Sequence, residues 1–224
     1  MADRPAASTL AFFQSELQAI YGVSAPPVEQ FLLGREAVQA AGRRPLATEE
    51  LWVMEEEDGV ALGLFLSEEV LAAAAGADPH DRRPRLVARG VLRHLACAAE
   101  GVSHFVYLAT RVAAERPVSL LELEVQAEVD KFALLLLHLW RRGLRRVSPA
   151  LRRRLFERVR FRAHLGPDEL LRYREANRLG GGYARWLEGR YVSEADLEGL
   201  LRELRHSYRL GAGEKLGYLG RRGG

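Results

Sequence analysis

The stretch RLVARGVLRHLACAAEGVSHFVYLATRVAA (residues 85–114), followed after Pro117 by SLLELEVQAEVDKFALLLLHLWRR (residues 119–142), decides the fold of this chain. Both runs carry apolar residues at helical spacing and little that would break a helix. The first predicts one long helix from Arg85 to about Ala114. Pro117 stops it, Ser119 stands as an N-cap with Glu122 in the capping-box position, and the second helix runs to about Arg142. Within the second, Phe132-Ala133-Leu134-Leu135-Leu136-Leu137 is apolar on every face, so this helix must be buried on more than one side.

Working outward, the chain before residue 85 mixes helix and strand signals. Ser8 or Thr9 reads as the N-cap of an amphipathic helix through Tyr21, with Phe12, Phe13, Leu17 and Ile20 on one face. Gly22 ends it, and Ala25-Pro26-Pro27 leads to an expected second helix over residues 28–41. Residues 50–55 and 60–66 are two extended runs around Glu56-Glu57-Asp58-Gly59, a hairpin signal. Ser67 opens a short helix that Gly76 stops, and the polar loop 78–84 follows. Beyond Gly143, Arg-rich helices are expected over about 149–164, 167–190 and 193–208. Gly180-Gly181-Gly182 reads as a kink or break in the middle one, because it lacks the preceding strand and the Lys-Ser/Thr of a phosphate loop. The last residues, from Gly220, read as frayed. The expected fold is α+β and predominantly helical: a small β-hairpin, two long packed helices and an Arg-rich helical C-terminal part. Two parts are expected, residues 1–142 with the hairpin and helix pair, and residues 143–224 packed on them.

Composition narrows the function classes. The 224 residues are 48% apolar and 28% charged, with a single cysteine. That balance suits a globular chain and argues against disorder. Cys97 alone cannot form an internal disulfide or a Cys-based zinc finger. No run reaches the roughly 18 apolar residues of a membrane span, and the opening residues lack a signal-peptide pattern. The expectation is a cytoplasmic protein without a membrane partner. Charge is uneven: residues 1–140 carry 12 basic and 20 acidic side chains, residues 141–224 carry 21 and 10. Only Lys131 and Lys215 among the 33 basic residues are lysine, which reads as the bias of a GC-rich genome. A basic tail can contact phosphates, and Tyr173, Tyr183, Trp186 and Tyr191 interleave with its arginines. Helix packing beside solvated arginines is the commoner use of that pattern, so nucleic acid is an alternative partner that is not favoured, beside a protein partner.

The candidate chemistry lies on the helix pair. Arg93, Cys97, Glu100, His104, Tyr107 and Arg111 recur every three or four residues and share one side of the first helix. Glu124, Glu128, Lys131 and His138 do the same on the second, while Glu122, Gln126 and Asp130 fall on another side. Ionisable groups on buried helices are costly unless paired or metal-bound. An antiparallel hairpin around Pro117 would bring Glu100, His104, Glu124 and Glu128 into one pocket, with Tyr107, Arg111 and Lys131 beside them.

The order hairpin, short helix, loop, long Glu/His helix and carboxylate-bearing helix resembles the core of gluzincin-type zincin metalloproteases over about residues 50–140. Residues 99–105 resemble the HExxH helix and residues 124–133 the helix that supplies the glutamate ligand. Only His104 keeps its family identity. Glu100 stands where the first histidine ligand belongs, and Gly101 stands where the family carries the glutamate that activates the metal-bound water. The resemblance therefore implies a degenerate zincin without peptidase activity, an interaction or regulatory protein. Three readings of the stripe stay open: a buried ion-pair network; a single divalent metal (Zn, Mn or Fe) on Glu100, His104 and Glu124 or Glu128 of a metal-dependent hydrolase; or a ligand pocket in a worn-down scaffold. A di-iron bundle would require Glu-x-x-His on two helices, which is absent.

Overall fold

A computed structural model describes residues 4–42, 47–56, 59–77, 91–159, 161 and 165–223. The fold is α+β and predominantly helical, with one three-stranded sheet among the described residues. The chain divides into two compact units, one within Met1–Gln18 and Val23–Arg116, the other within Ala19–Gly22 and Pro117–Gly224. The division falls between Arg116 and Pro117. The long helix after Pro117 packs chiefly on helices later in the chain and belongs with them.

In the first unit, α1 (Arg4–Tyr21, its residues to Gln18 lying here) already begins before Thr9. Thr9 is therefore not an N-cap. Its buried hydroxyl bonds the carbonyls of Ala74 (2.8 Å) and Ala77 (2.9 Å), at the end of α3 (Glu68–Ala75). The helix expected over 28–41 is three pieces: a 3-10 turn Val28–Phe31, strand β1 (Leu32–Leu33) and α2 (Arg35–Ala40). Leu32 and Leu33 are taken out of helix by parallel pairing with Leu64 and Phe65. The hairpin forms as the sequence predicts: β2 (Glu49–Glu56) and β3 (Gly59–Leu66) run antiparallel, in register from Glu49 opposite Leu66 to Glu56 opposite Gly59. Residues 57–58 of its turn and the loop 78–84 lie outside the described residues. The sheet order is β1-β3-β2.

The first long helix is α4 (Leu92–Ala113), and residues 85–90 of its expected start lie outside the described residues. It packs on the sheet and on α3 through Leu95, Ala98, Val102 and Phe105, all buried. The closest approach is at Gly101. A Cβ there would lie 2.9 Å from Glu49 Cγ and 3.1 Å from side-chain carbons of Leu64 and Leu66.

In the second unit, α5 (Leu120–Arg141) starts at the expected cap, where Ser119 Oγ accepts from the Glu122 amide. Its apolar middle is buried as expected. After it come α6 (Ser148–Arg152) with a π-helical turn Arg153–Glu157, α7 (Pro167–Leu187) with a π-helical turn Glu188–Val192, α8 (Leu197–Arg209) and α9 (Ala212–Gly223). His164, in the expected 149–164 helix, lies outside the described residues. The expected break at Gly180-Gly181-Gly182 does not occur, since α7 runs through it. These glycines are contact points instead. A Cβ on Gly180 would lie 2.6 Å from Glu128 Cβ on α5, one on Gly181 3.0 Å from Phe156 Cβ, and one on Gly182 2.7 Å from the Gly223 carbonyl oxygen of α9. α9 is accordingly held helical to Gly223, beyond the point where fraying was expected. No helix among the described residues is long and apolar enough to cross a membrane.

Candidate functional site

The α4 stripe is built from one helix face and the strand it packs on. His104 is 5% exposed. Its Nδ1 lies 3.2 Å from Oε1 of Glu49, a buried carboxylate at the start of β2. Register explains the meeting: Glu49 pairs opposite Leu66, and both side chains reach the α4 face opened by Gly101. A carboxylate at Nδ1 fixes the ring and, in the neutral imidazole, holds the proton on Nδ1, so that Nε2 carries the lone pair. One turn earlier, a Glu100 carboxylate oxygen comes within 4.8 Å of a His104 ring nitrogen. One turn later, the buried Arg111 guanidinium donates to the Tyr107 hydroxyl and lies 4.7 Å from that ring's centroid. Glu49 was not among the residues expected from the sequence. It sits 55 residues before its partner, and nothing local marks it.

The α5 stripe is paired within the second unit. Lys131 Nζ lies 3.1 Å from Glu128 Oε1, and Arg172 of α7 lies 3.8 Å from Glu124 Oε1. The Arg142 Nη1 lies 2.9 Å from His138 Nδ1. Burial, with Arg142 and then Arg141 adding positive charge nearby, depresses the His138 pKa to about 4. His138 is therefore neutral at pH 7 and accepts from Arg142.

The other side of α5 holds a denser network. Tyr21 donates to Asp130 Oδ1, Gln126 Nε2 donates to the same oxygen (2.7 Å), and Lys215 Nζ of α9 donates to Gln126 Oε1 (2.7 Å). Lys215 is fully buried. Tyr208 of α8 stacks on Tyr21 at 4.0 Å between centroids. Burial first, then the Asp130 charge, raises the Tyr21 pKa well above its ordinary value, so the phenol stays a donor. One signal was present in the sequence: Lys131 and Lys215 are the only lysines, and both are buried.

The aromatic residues among the arginines are buried or half-buried and make ring contacts within the second unit. Tyr183 is fully buried and stacks on Trp186 at 5.8 Å, and Arg222 lies over the rings of Tyr218 (3.7 Å) and Trp186 (4.7 Å). Arg172 and Arg190 lie beside Tyr173 and Tyr191. Cys97 is partly buried, with its sulfur 3.4 Å from the Thr48 hydroxyl. No protein family matches this chain, and neither a curated protein nor a solved structure is found similar to it.

Proposed function

We propose that this chain is a non-peptidase interaction or regulatory protein of the cytoplasm. On this reading α4 and α5 each resemble a helix of a degenerate zincin, and their buried polar groups serve structure. The observation that carries it is Gly101. The resemblance puts the water-activating glutamate of the zincins at this position, yet the α4 backbone here rests on Glu49, Leu64 and Leu66, with no room for a Cβ. A general base needs a side chain reaching a water or substrate. Position 101 supports neither. His104 held by Glu49, and Glu128 and Glu124 paired with Lys131 and Arg172, are compatible with the same role.

A second reading has one specific observation in its favour. An imidazole whose Nδ1 is held by a carboxylate is the arrangement that metal-binding histidines use, and Glu100 stands within 4.8 Å of the ring. That reading places a divalent cation (Zn, Mn or Fe) on Glu100 and His104 in a metal-dependent hydrolase. Elemental analysis and hydrolysis of a generic fluorogenic peptide separate the two. The non-peptidase reading expects sub-stoichiometric metal and no hydrolysis in wild type, Glu100→Gln and His104→Ala alike. Stoichiometric metal with chelator-sensitive hydrolysis, both lost in His104→Ala, would overturn it.

A further inference from the structure

The second unit contains a pocket of about 310 Å³ at the π-helical turn that ends α7, lined by Arg190, Tyr191, Asp196, Arg202, Glu203 and His206. Its lining is polar and carries both signs of charge. Glu203 of α8 is only 8% exposed. Its Oε1 accepts from the Tyr183 and Tyr218 hydroxyls, both at 2.8 Å, and lies 3.5 Å from Arg222 Nε. Both hydroxyls donate to this one oxygen, and the Arg222 charge stands beside it. The second oxygen, Oε2, takes no hydrogen bond from the described residues, and Glu203 belongs to the pocket wall. Two tyrosines and an arginine thus fix a buried carboxylate in place and leave its other oxygen for whatever fills the pocket.

Charge selects among occupants. Arg190 and Arg202 line the pocket, and guanidiniums take carboxylates in two parallel hydrogen bonds. A simple anion placed there would also meet Glu203 and Asp196, and a simple cation would meet both arginines. A small molecule with an ammonium at one end and a carboxylate at the other satisfies both halves. The volume lies at the small end of ligand pockets, and a polar lining gives an apolar ligand nothing to gain. Asp196 is partly committed, since its Oδ1 caps α8 by accepting from the Gly199 amide. The π-helical turn is what brings Arg190 and Tyr191 to the rim, and such turns recur at functional sites.

We propose that this pocket binds a free α-amino acid, its ammonium on Glu203 Oε2 and its carboxylate on Arg190 and Arg202. The test is titration calorimetry of the full chain with the standard L-amino acids, with acetate and methylammonium as the two half-ligands. At least one amino acid should bind, at least about tenfold tighter than either half-ligand, which is about 1.4 kcal/mol. Arg202→Gln, at an exposed position, should weaken it by about tenfold, and so should Glu203→Gln, whose amide oxygen can still accept from the tyrosines. Should Glu203→Gln fail to fold, Arg202→Gln decides alone. Acetate or methylammonium binding as tightly as the best amino acid, binding indifferent to Arg202→Gln, or no binding by any amino acid at about 10 mM would each overturn the proposal.

Discussion

Replacing Gly180 with alanine sets two opposed effects against each other at one position. Alanine is favoured over glycine inside a helix by about 1 kcal/mol, so a solvent-facing Gly180 would gain stability on substitution. The structure places the new Cβ 2.6 Å from Glu128 Cβ and 3.3 Å from Phe156 Cε1. Carbon atoms settle at about 3.5–4.0 Å, and a Cβ moves only with its backbone. Relief therefore requires α5 and α7 to part by about 1 Å over a packed face. Overpacking of that kind costs about 1–3 kcal/mol, which outweighs the helix gain. The net expectation is a loss of up to about 2 kcal/mol, or up to about 8 °C in Tm for a chain of this size. Gly213, in the first turn of α9 with nothing within 4 Å of its Cβ direction, is the control. Alanine there should gain about 0.4–1 kcal/mol. Urea denaturation followed by circular dichroism reads both. If Gly180→Ala gains stability as Gly213→Ala does, α7 does not cross α5 at that glycine, and the packing described for the second unit is wrong.

Acid should weaken the fold through His138. Its folded pKa of about 4 lies below the unfolded value of about 6.5, so the unfolded chain binds more protons between these values and stability falls as pH drops from 6.5 to 4. The full effect is at most about 3 kcal/mol, and His138→Gln should flatten the pH slope measured by denaturation at pH 7 and pH 4.5. An unchanged slope would remove His138 from the acid response. Leu135→Ala, in the buried middle of α5, should cost about 2–5 kcal/mol, whereas a cost under about 1 kcal/mol would make α5 peripheral. Lys215→Met leaves the buried Gln126 oxygen without its ammonium donor and should cost about 1–3 kcal/mol. Lys215→Arg should fail to restore it, and full stability in that variant would show that the site tolerates a guanidinium. Retention on heparin tests the alternative of nucleic-acid binding: a steep salt dependence weakened by Arg-to-Gln changes in 141–190 would support it.

The parts of the fold legible in the sequence are those set by neighbours along the chain. Ser119 and Glu122 mark the start of α5 because a cap acts within one turn, and Phe132–Leu137 mark its burial because no solvent-facing residue interrupts them. The β2–β3 hairpin announces itself through two short runs and a turn between them. Leu32–Leu33 does not, since only Leu64 and Phe65, more than thirty residues on, make those two residues a strand. Gly180–Gly182 has the composition of a break. Only the approach of Glu128, Phe156 and Gly223 shows that it is a seam. At the candidate site, Glu100 and His104, like Glu128 and Lys131, are neighbours along a single helix, the kind of relation that spacing alone encodes. The partners Glu49 and Arg172 come from other elements, and Tyr21, Gln126, Asp130 and Lys215 meet through tertiary packing that no periodicity encodes.

The two buried lysines carry a lesson about substitution in a chain so given to arginine. Where nearly every basic position holds arginine, a buried lysine marks a place filled by a slim ammonium in place of a flat, five-donor fork. In relatives of this chain, exchange at 131 or 215 should be accompanied by change at Glu128 or Gln126, while the exposed basic positions vary without such companions.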